Sequence, residues 1–210
     1  MKKVLLGVLV LVFGIQLAFG QISRQAQKEA FLGFAIPLGP EGFKDYYKVG
    51  ISPHFQYVIF PSQQIGVSFG AAYEFFTFDG DKFLEDYGNF FGVDVSDLTV
   101  DGSFSNLELG VGIRPYITSP EAANQLFVFG MLTYNFMHFE STVTDPLGTE
   151  YSDKSDDNKM GLGFGGGLEM PMTDRFNLIV QGVFRVIFTK DDNTGDENTT
   201  FLGVTAGIVF

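Results

Sequence analysis

The sequence predicts an all-β fold, an eight-stranded antiparallel up-and-down transmembrane β-barrel. Three observations carry that prediction. Eight stretches alternate residue by residue between an apolar face and a face of small or polar residues, which is the period of a strand with two different surroundings. The 210 residues include 25 Phe, 8 Tyr and 26 Gly, and beyond the first twenty residues no run is long and apolar enough for a membrane helix. The connections tend to alternate between short turns and longer acidic loops, as a barrel with two unlike aqueous faces requires.

The segments follow in order. The first, Glu29–Leu38, sets Leu32, Phe34, Ile36 and Leu38 against Gly33 and Ala35. The second, Tyr46–Phe60, sets Tyr47, Val49, Ile51, Phe55, Tyr57 and Ile59 against Lys48, Gly50, Ser52, His54 and Gln56. The third, Ile65–Phe78, sets Val67, Phe69, Tyr73 and Phe75 against Gly66, Ser68, Gly70 and Glu74. The fourth, Ser103–Tyr116, sets Leu107, Leu109, Val111 and Ile113 against Glu108, Gly110, Gly112 and Arg114. The fifth, Leu126–Phe139, is apolar on both faces and has no orientation from pattern alone. The sixth, Lys159–Met170, alternates Met160, Leu162, Phe164, Leu168 and Met170 with Gly161, Gly163, Gly165, Gly167 and Glu169. The seventh, Phe176–Thr189, sets Leu178, Val180, Phe184, Val186 and Phe188 against Asn177, Gln181 and Arg185. The eighth, Thr200–Phe210, sets Leu202, Val204, Ala206, Ile208 and Phe210 against Gly203, Thr205 and Gly207.

A soluble, lipocalin-like barrel alternates too, with inside and outside exchanged. Two features favour lipid outside. The less apolar face is mostly Gly, Ser and Ala with isolated charges, unlike a solvated sheet surface. Several segments also exceed the roughly 5–6 residues usual for soluble strands and suit a tilted span of about 9–11 residues plus overhang. Pro61–Gln64, Ile117–Gln125 and Pro171–Arg175 read as the shorter connections. Asp79–Gly102, Glu140–Asn158 and Lys190–Thr199 read as long acidic loops on the opposite side, with Gly39–Asp45 the exception in length.

The two ends of the sequence agree with a membrane address. Met1-Lys2-Lys3 followed by an apolar run from Val4 to Val12 and the small residues Ala18 and Gly20 reads as a signal peptide, residues 1–20, cleaved before Gln21; a transmembrane anchor is the alternative. Residues 21–28 form a short polar leader and 29–210 the barrel. The segment removed carries two lysines and no acid, so the formal charge of −12 becomes −14, which argues against nucleic-acid binding. There is no Cys, hence no disulfide, no thiol chemistry and no lipid attached to a cysteine.

The alternating pattern, the chain length and the terminal Phe210 resemble the small eight-stranded outer-membrane barrels, the family of the OmpA transmembrane domain, OmpX and OmpW. The resemblance covers essentially the whole chain after residue 20 and rests on pattern rather than a residue-specific motif. It implies a cell outer-membrane location, Phe210 as an assembly signal read by the barrel-assembly machinery, and contact with outer-membrane lipid and lipopolysaccharide. The family's members are variously structural anchors, adhesion or resistance factors, and narrow channels for small apolar molecules.

With the greasy face turned to lipid, the strand charges point inward, since a Lys or Arg facing mid-bilayer costs roughly 2–4 kcal/mol. Counted from the short turns, Glu74, Glu108 and Arg185 all lie about eight or nine residues up, in an interior just wide enough for side chains to fill. They are expected to form a lumen ion-pair cluster that closes the barrel, the forked Arg185 meeting both carboxylates. Arg114 and Glu169, nearer the turns, form a candidate second pair. Solvated lumen residues without mutual contact are the alternative.

Other chemistry is weak. His54 reads as a lumen residue. His138, with Glu140 and Ser141 following, resembles the catalytic trio of outer-membrane lipid A deacylases, but the spacing does not match. Gly161–Gly167 reads as an inward strand face, not a phosphate loop. Asp153, Asp156 and Asp157 form one acidic loop cluster and Asp191, Asp192, Asp196 and Glu197 another; neither has Ca²⁺-loop spacing, which leaves a solvated loop or loose divalent bridging to lipopolysaccharide phosphates. Phe83, Tyr87, Phe90 and Phe91 recur at near-helical spacing, and a short amphipathic helix would gather them as a contact patch for the barrel mouth, the membrane or a partner. The expectation is a non-enzymatic monomer with no cofactor and no metal, structural or interacting through acidic loops with an extracellular partner. The alternative is a narrow transporter of small apolar solutes, favoured by the aromatic loop and the glycine-lined sixth segment.

Overall fold

The structure is a computed structural model, and it describes residues 25–173, 175–189 and 197–210. The expected signal peptide, the first half of the leader, and Asp191, Asp192 and Asp196 of the second acidic cluster lie outside those residues.

Among the described residues, nine strands make one antiparallel sheet: β1 (Gln27–Gly39), β2 (Gly50–Ile51), β3 (His54–Ser62), β4 (Ile65–Thr77), β5 (Thr99–Pro115), β6 (Gln125–Thr144), β7 (Glu150–Pro171), β8 (Asn177–Ile187) and β9 (Thr199–Val209). Helices α1 (Glu41–Tyr46) and α2 (Gly80–Phe91) lie in the connections after β1 and after β4. Both β2 and β3 pair with β1 on one side and β4 on the other, so they fill one position, and the β1–β9 ladder closes an eight-stranded ring. Closure pairs the sheet's two edges, the condition for a sheet to stand in hydrocarbon.

The alternation of the sequence is the alternation of the wall. On β1, Leu32 and Phe34 are 65% and 62% exposed while Ala35 between Phe34 and Ile36 is fully buried. The same holds for Leu107, Leu109 and Ile113 outside against Glu108 and Arg114 inside on β5. β6, which pattern could not orient, turns Leu126, Val128, Leu132, Tyr134 and Phe136 outward and Phe127, Phe129, Met131, Thr133, Asn135 and Met137 inward. Its inner face is apolar because much of the lumen is apolar. One cluster around Phe31, Val58, Phe60, Phe127 and Ile179 fills the half of the lumen near the short turns. A second, with Phe43, Phe76, Phe104, Met137, Ile187 and Phe201, fills the half near the loops.

Three expectations change, and the short helix suggested after the third segment is present. The second segment is broken between β2 and β3, where Pro53 has no N–H to give the ladder; Ser52 N–H still reaches Gly33 O and Pro53 O accepts from Tyr73 N–H, both near 3 Å, so the break stays in the wall. Gly39–Asp45 is not a plain loop but leads into α1, whose Phe43 drops into the mouth of the barrel. Asp79–Gly102 holds α2, capped by Asp79, which accepts from Lys82 N–H, and stopped by Gly92 at φ +66°, the left-handed value that glycine adopts without strain. Glu140–Asn158 is mostly not a loop. The β6–β7 ladder continues unbroken through it to Thr144↔Glu150, because cross-strand pairs rich in β-formers and opposite charges (Thr142↔Ser152, Val143↔Tyr151, Glu140↔Lys154) sustain it. β5 runs alongside as far as Thr99↔Thr144, so three strands project beyond the ring as a sheet.

Candidate functional site

The lumen is built in layers, because the inward residues of neighbouring strands fall at equal heights. Nearest the short turns, Glu169 accepts from Asn177 Nδ2 at 2.6 Å, Gln27 Nε2 at 3.1 Å and the Tyr116 hydroxyl at 3.3 Å. Above it, Arg114 presents both terminal nitrogens to Glu29, with Nη2 to Oε2 at 2.8 Å, and Nη2 also donates to Gln56 Oε1. The guanidinium carbon lies 4.5 Å from the centre of the Phe127 ring. Arg114 and Glu29 are both essentially inaccessible. The expected Arg114–Glu169 pair is thus corrected. Both side chains do face inward near the turns, but Glu29 on β1 answers Arg114 across the barrel, and the hydrogen bonds to Glu169 named above come from Gln27 on β1, Asn177 on β8 and Tyr116 just past the end of β5. The inward parity of Glu29, two residues before Phe31 and four before Gly33, was legible in the sequence; its height relative to Arg114 depends on the stagger of closure.

At mid-height stand Glu74, Glu108 and Arg185. Arg185 Nε is 3.3 and 3.2 Å from the two oxygens of Glu108, and Nη2 is 3.6 Å from Glu74 Oε1. Asn106 Nδ2 donates to Glu74 Oε2 at 3.0 Å and to Asn135 Oδ1 at 2.9 Å, and Asn135 passes the chain on to Thr133. Arg185 sits opposite Gly163 on β7 and one strand from Gly203 on β9, so the missing side chains leave it room. A Cβ on Gly203 would come within 2.8 Å of the Arg185 Nη1. His54 is buried at this level, stacked on Phe31 at 4.1 Å, with Nε2 2.9 Å from Gln181 Nε2. Above the charges, Phe76 meets Phe104 and Phe201 at ring distances of 5.7 Å each, and Phe43 lies edge-on to Phe76 and Phe104. Asn106, Asn135, Gln56 and Gln181 were not singled out from sequence; Asn106 and Gln56 share a face with residues that were, and Asn135 lay on the unoriented segment.

The loop end is acidic and aromatic. Phe83 packs against Tyr46 and Phe78 at 5.4 and 5.6 Å, while Tyr87, Phe90 and Phe91 form a chain of ring contacts at 4.7 and 4.9 Å that stays exposed, Phe90 at 83%. The patch is therefore divided: Phe83 anchors α2, aided by Lys82 Nζ donating to Asp45 O, and the other three face outward. On the projecting sheet, His138 Nδ1 lies 2.6 Å from Asp156 Oδ1 and Lys154 donates to Glu140. That donation holds the Glu140 carboxyl below the usual carboxylate range, and the backbone N–H groups of Thr149 and Leu147 do the same for Asp145 at the hairpin tip. Ser141 is three residues from His138 on a strand and so points to the other face; no trio assembles there. Asp153, Asp156 and Asp157 are spread along β7 rather than gathered, and no group of three or more His or acidic side chains among the described residues is placed to hold a metal ion.

A closed ring with an apolar outer belt, a packed lumen, short turns at one end and projecting structure at the other defines a class, the transmembrane β-barrel of the small outer-membrane type. Solved structures agree at the level of fold. The chain is similar to a major outer-membrane protein of Thermus thermophilus, with a TM-score of 0.56, 15% identity, and coverage of 89% of this chain and 99% of that one. It is similar to Neisserial surface protein A, with a TM-score of 0.53, 15% identity, and coverage of 88% and 95%. It is also similar to Ail, the attachment invasion locus protein of Yersinia pestis, solved with the heparin analogue sucrose octasulfate, with a TM-score of 0.52, 18% identity, and coverage of 89% and 100%. No protein-family model matches the chain, and no curated protein matches it in sequence.

Proposed function

We propose that this protein is a non-enzymatic resident of a cell outer membrane that acts at the surface, with its lumen closed. Its short turns face the periplasm and its acidic loops face outside. The observation that carries the reading is the filled lumen. Glu29 and Arg114, then Glu74, Glu108 and Arg185, then the aromatic layer of Phe76, Phe104 and Phe201 are all buried at successive heights. A barrel of eight strands has no width left over once such side chains meet. What remains for function is the outer end: the projecting β5–β7 sheet and the exposed Tyr87, Phe90 and Phe91. The comparison with Ail extends to architecture rather than to ligand. A sulfated sugar analogue is bound in the Ail structure, whereas the loop end here carries Asp79, Asp81, Glu85, Asp86, Asp94 and Asp97 around one helix, which repels polyanions and suits a cationic protein surface.

Conductance tests the reading. Refolded protein in planar bilayers is expected to show no large, steady pore; a stable open channel in the wild type would overturn it. A transporter reading has one observation behind it, an apolar recess of about 870 Å³ on the outer wall around Gly130, where no side chain fills the surface. Unbroken pairing of Val111↔Leu132, Gly112↔Met131 and Ile113↔Gly130 separates that recess from the lumen, which favours the closed reading.

A further inference from the structure

A second recess, of about 400 Å³, lies at the loop end between α1 and the loop-side ends of β6, β7, β8 and β9. Its chemistry is uneven. Phe43 and Met137 are buried beneath it, and Tyr47 and Phe139 stand half-buried against the same apolar cluster. Phe43 is buried among Tyr47, Phe76 and Phe104 at ring distances of 5.1, 5.2 and 5.3 Å, so the half-buried Tyr47 is the ring with surface left to offer a ligand. Asp157 and Glu197 line the same recess. Ring faces carry negative charge density, and two carboxylates add to it, so the lining attracts a cation twice over and disfavours an anion on both counts. Lys159 Nζ is 3.2 Å from Asp157, which engages that lysine but leaves the recess with excess negative charge. The buried floor asks for apolar contact, and the volume sits at the small end of the roughly 300–1,000 Å³ of small-molecule sites.

We propose that this recess binds a small organic ammonium ion with an apolar body, the charged nitrogen between the aromatic rings and the Asp157 and Glu197 carboxylates. The site faces the aqueous phase above the ring rather than the hydrocarbon beside it. A free cation is therefore the ligand, and a zwitterionic lipid headgroup is a poor one because its phosphate would meet the same carboxylates. The inference is independent of lumen closure and requires only that the loop end be wetted.

The test uses the refolded full-length barrel in maltoside micelles, benzyltrimethylammonium as the probe and the Met137 methyl signal as the readout. A saturable shift is expected, and the uncharged isostere neopentylbenzene, benzenesulfonate and glycerophosphocholine should each bind at least about tenfold more weakly, roughly one charge contact's worth. Asp157→Asn combined with Glu197→Gln should weaken binding about tenfold by the same reasoning. Tyr47→Leu, which keeps the apolar bulk, should weaken it about 2- to 30-fold. Lys159→Met should tighten it, because Asp157 is then released to the ligand, a gain that a purely structural role for these residues does not produce. Equal binding of the uncharged isostere to the wild type overturns the proposal whether or not any variant folds. So does an unchanged affinity in the double variant, or a Lys159→Met protein that binds no better.

Discussion

Replacing Arg185 by Met isolates the energetics of the mid-lumen cluster. Arg185 is one cation shared by two buried carboxylates: its Nε lies 3.2 Å from Glu108, and its Nη2 lies 3.6 Å from Glu74. Removing it leaves both without their counter-charge, with Asn106 Nδ2 still donating to Glu74 at 3.0 Å but no cation in its place. Breaking a buried pair from one side typically costs about 3–5 kcal/mol, and two stranded carboxylates put the expected loss at the upper end of that range. The contact with the Phe201 face, 5.6 Å away, adds at most about 1 kcal/mol. If desolvated charge is the cause, removing the charges together repairs the damage. The triple variant Arg185→Met, Glu74→Gln, Glu108→Gln should return to within about 2 kcal/mol of the wild type, since well-packed neutral replacements of buried ion pairs are often near neutral. Reversible urea unfolding of the barrel in lipid vesicles, followed by circular dichroism, measures all three proteins. A single variant that loses less than about 1 kcal/mol, or a triple variant no better than the single, would refute the reasoning.

Three further outcomes follow from the same structure. In double-mutant cycles, Arg114→Met should couple to Glu29→Gln by about 2 kcal/mol or more and to Glu169→Gln by less than about 0.5 kcal/mol, because only the first pair is in contact; the reverse order would restore the pairing read from sequence. Gly165→Val should abolish refolding, seen as loss of the heat-modifiable band on gels, because a Cβ there would overlap the Gly182 carbonyl oxygen, whereas Gly130→Ala, with nothing within 4 Å, should fold normally. On the projecting sheet, the folded Glu140 carboxyl titrates below its unfolded value because Lys154 donates to it. That contact's contribution is complete above the ordinary carboxylate range and is lost as pH falls through the lowered value. Lys154→Met should therefore return Glu140 to the ordinary range in an NMR titration, and an unmoved titration would assign the shift to another neighbour.

Most of the wall is legible in the sequence, because a residue on a strand faces one of two ways and lipid rewards only one of them. The inward positions of Glu74, Glu108, Arg185, Arg114 and Glu169 follow from that binary choice. Legibility fails where both faces are apolar. Phe127, Phe129 and Met131 fill the lumen of β6 with the same residue types that coat its outside, so no contrast marks the strand's orientation. It fails again where a local rule competes with a pattern. Pro53 interrupts an otherwise alternating run, and the charged stretch from Glu140 to Asn158 reads as loop although paired cross-strand side chains keep it a ladder.

By itself, then, the sequence determined the periodicity, the sidedness of each contrasted strand and the segregation of acids to one end, all properties of residues within a few positions of one another. The tertiary structure alone decided which residues meet across the lumen. Ring closure sets a stagger between strands, and a shift of one residue pair moves a side chain by roughly 7 Å in height, enough to exchange one partner for another. Hence Glu29 rather than Glu169 holds Arg114, and a six-residue helix between the first two strands sets Phe43 in the mouth.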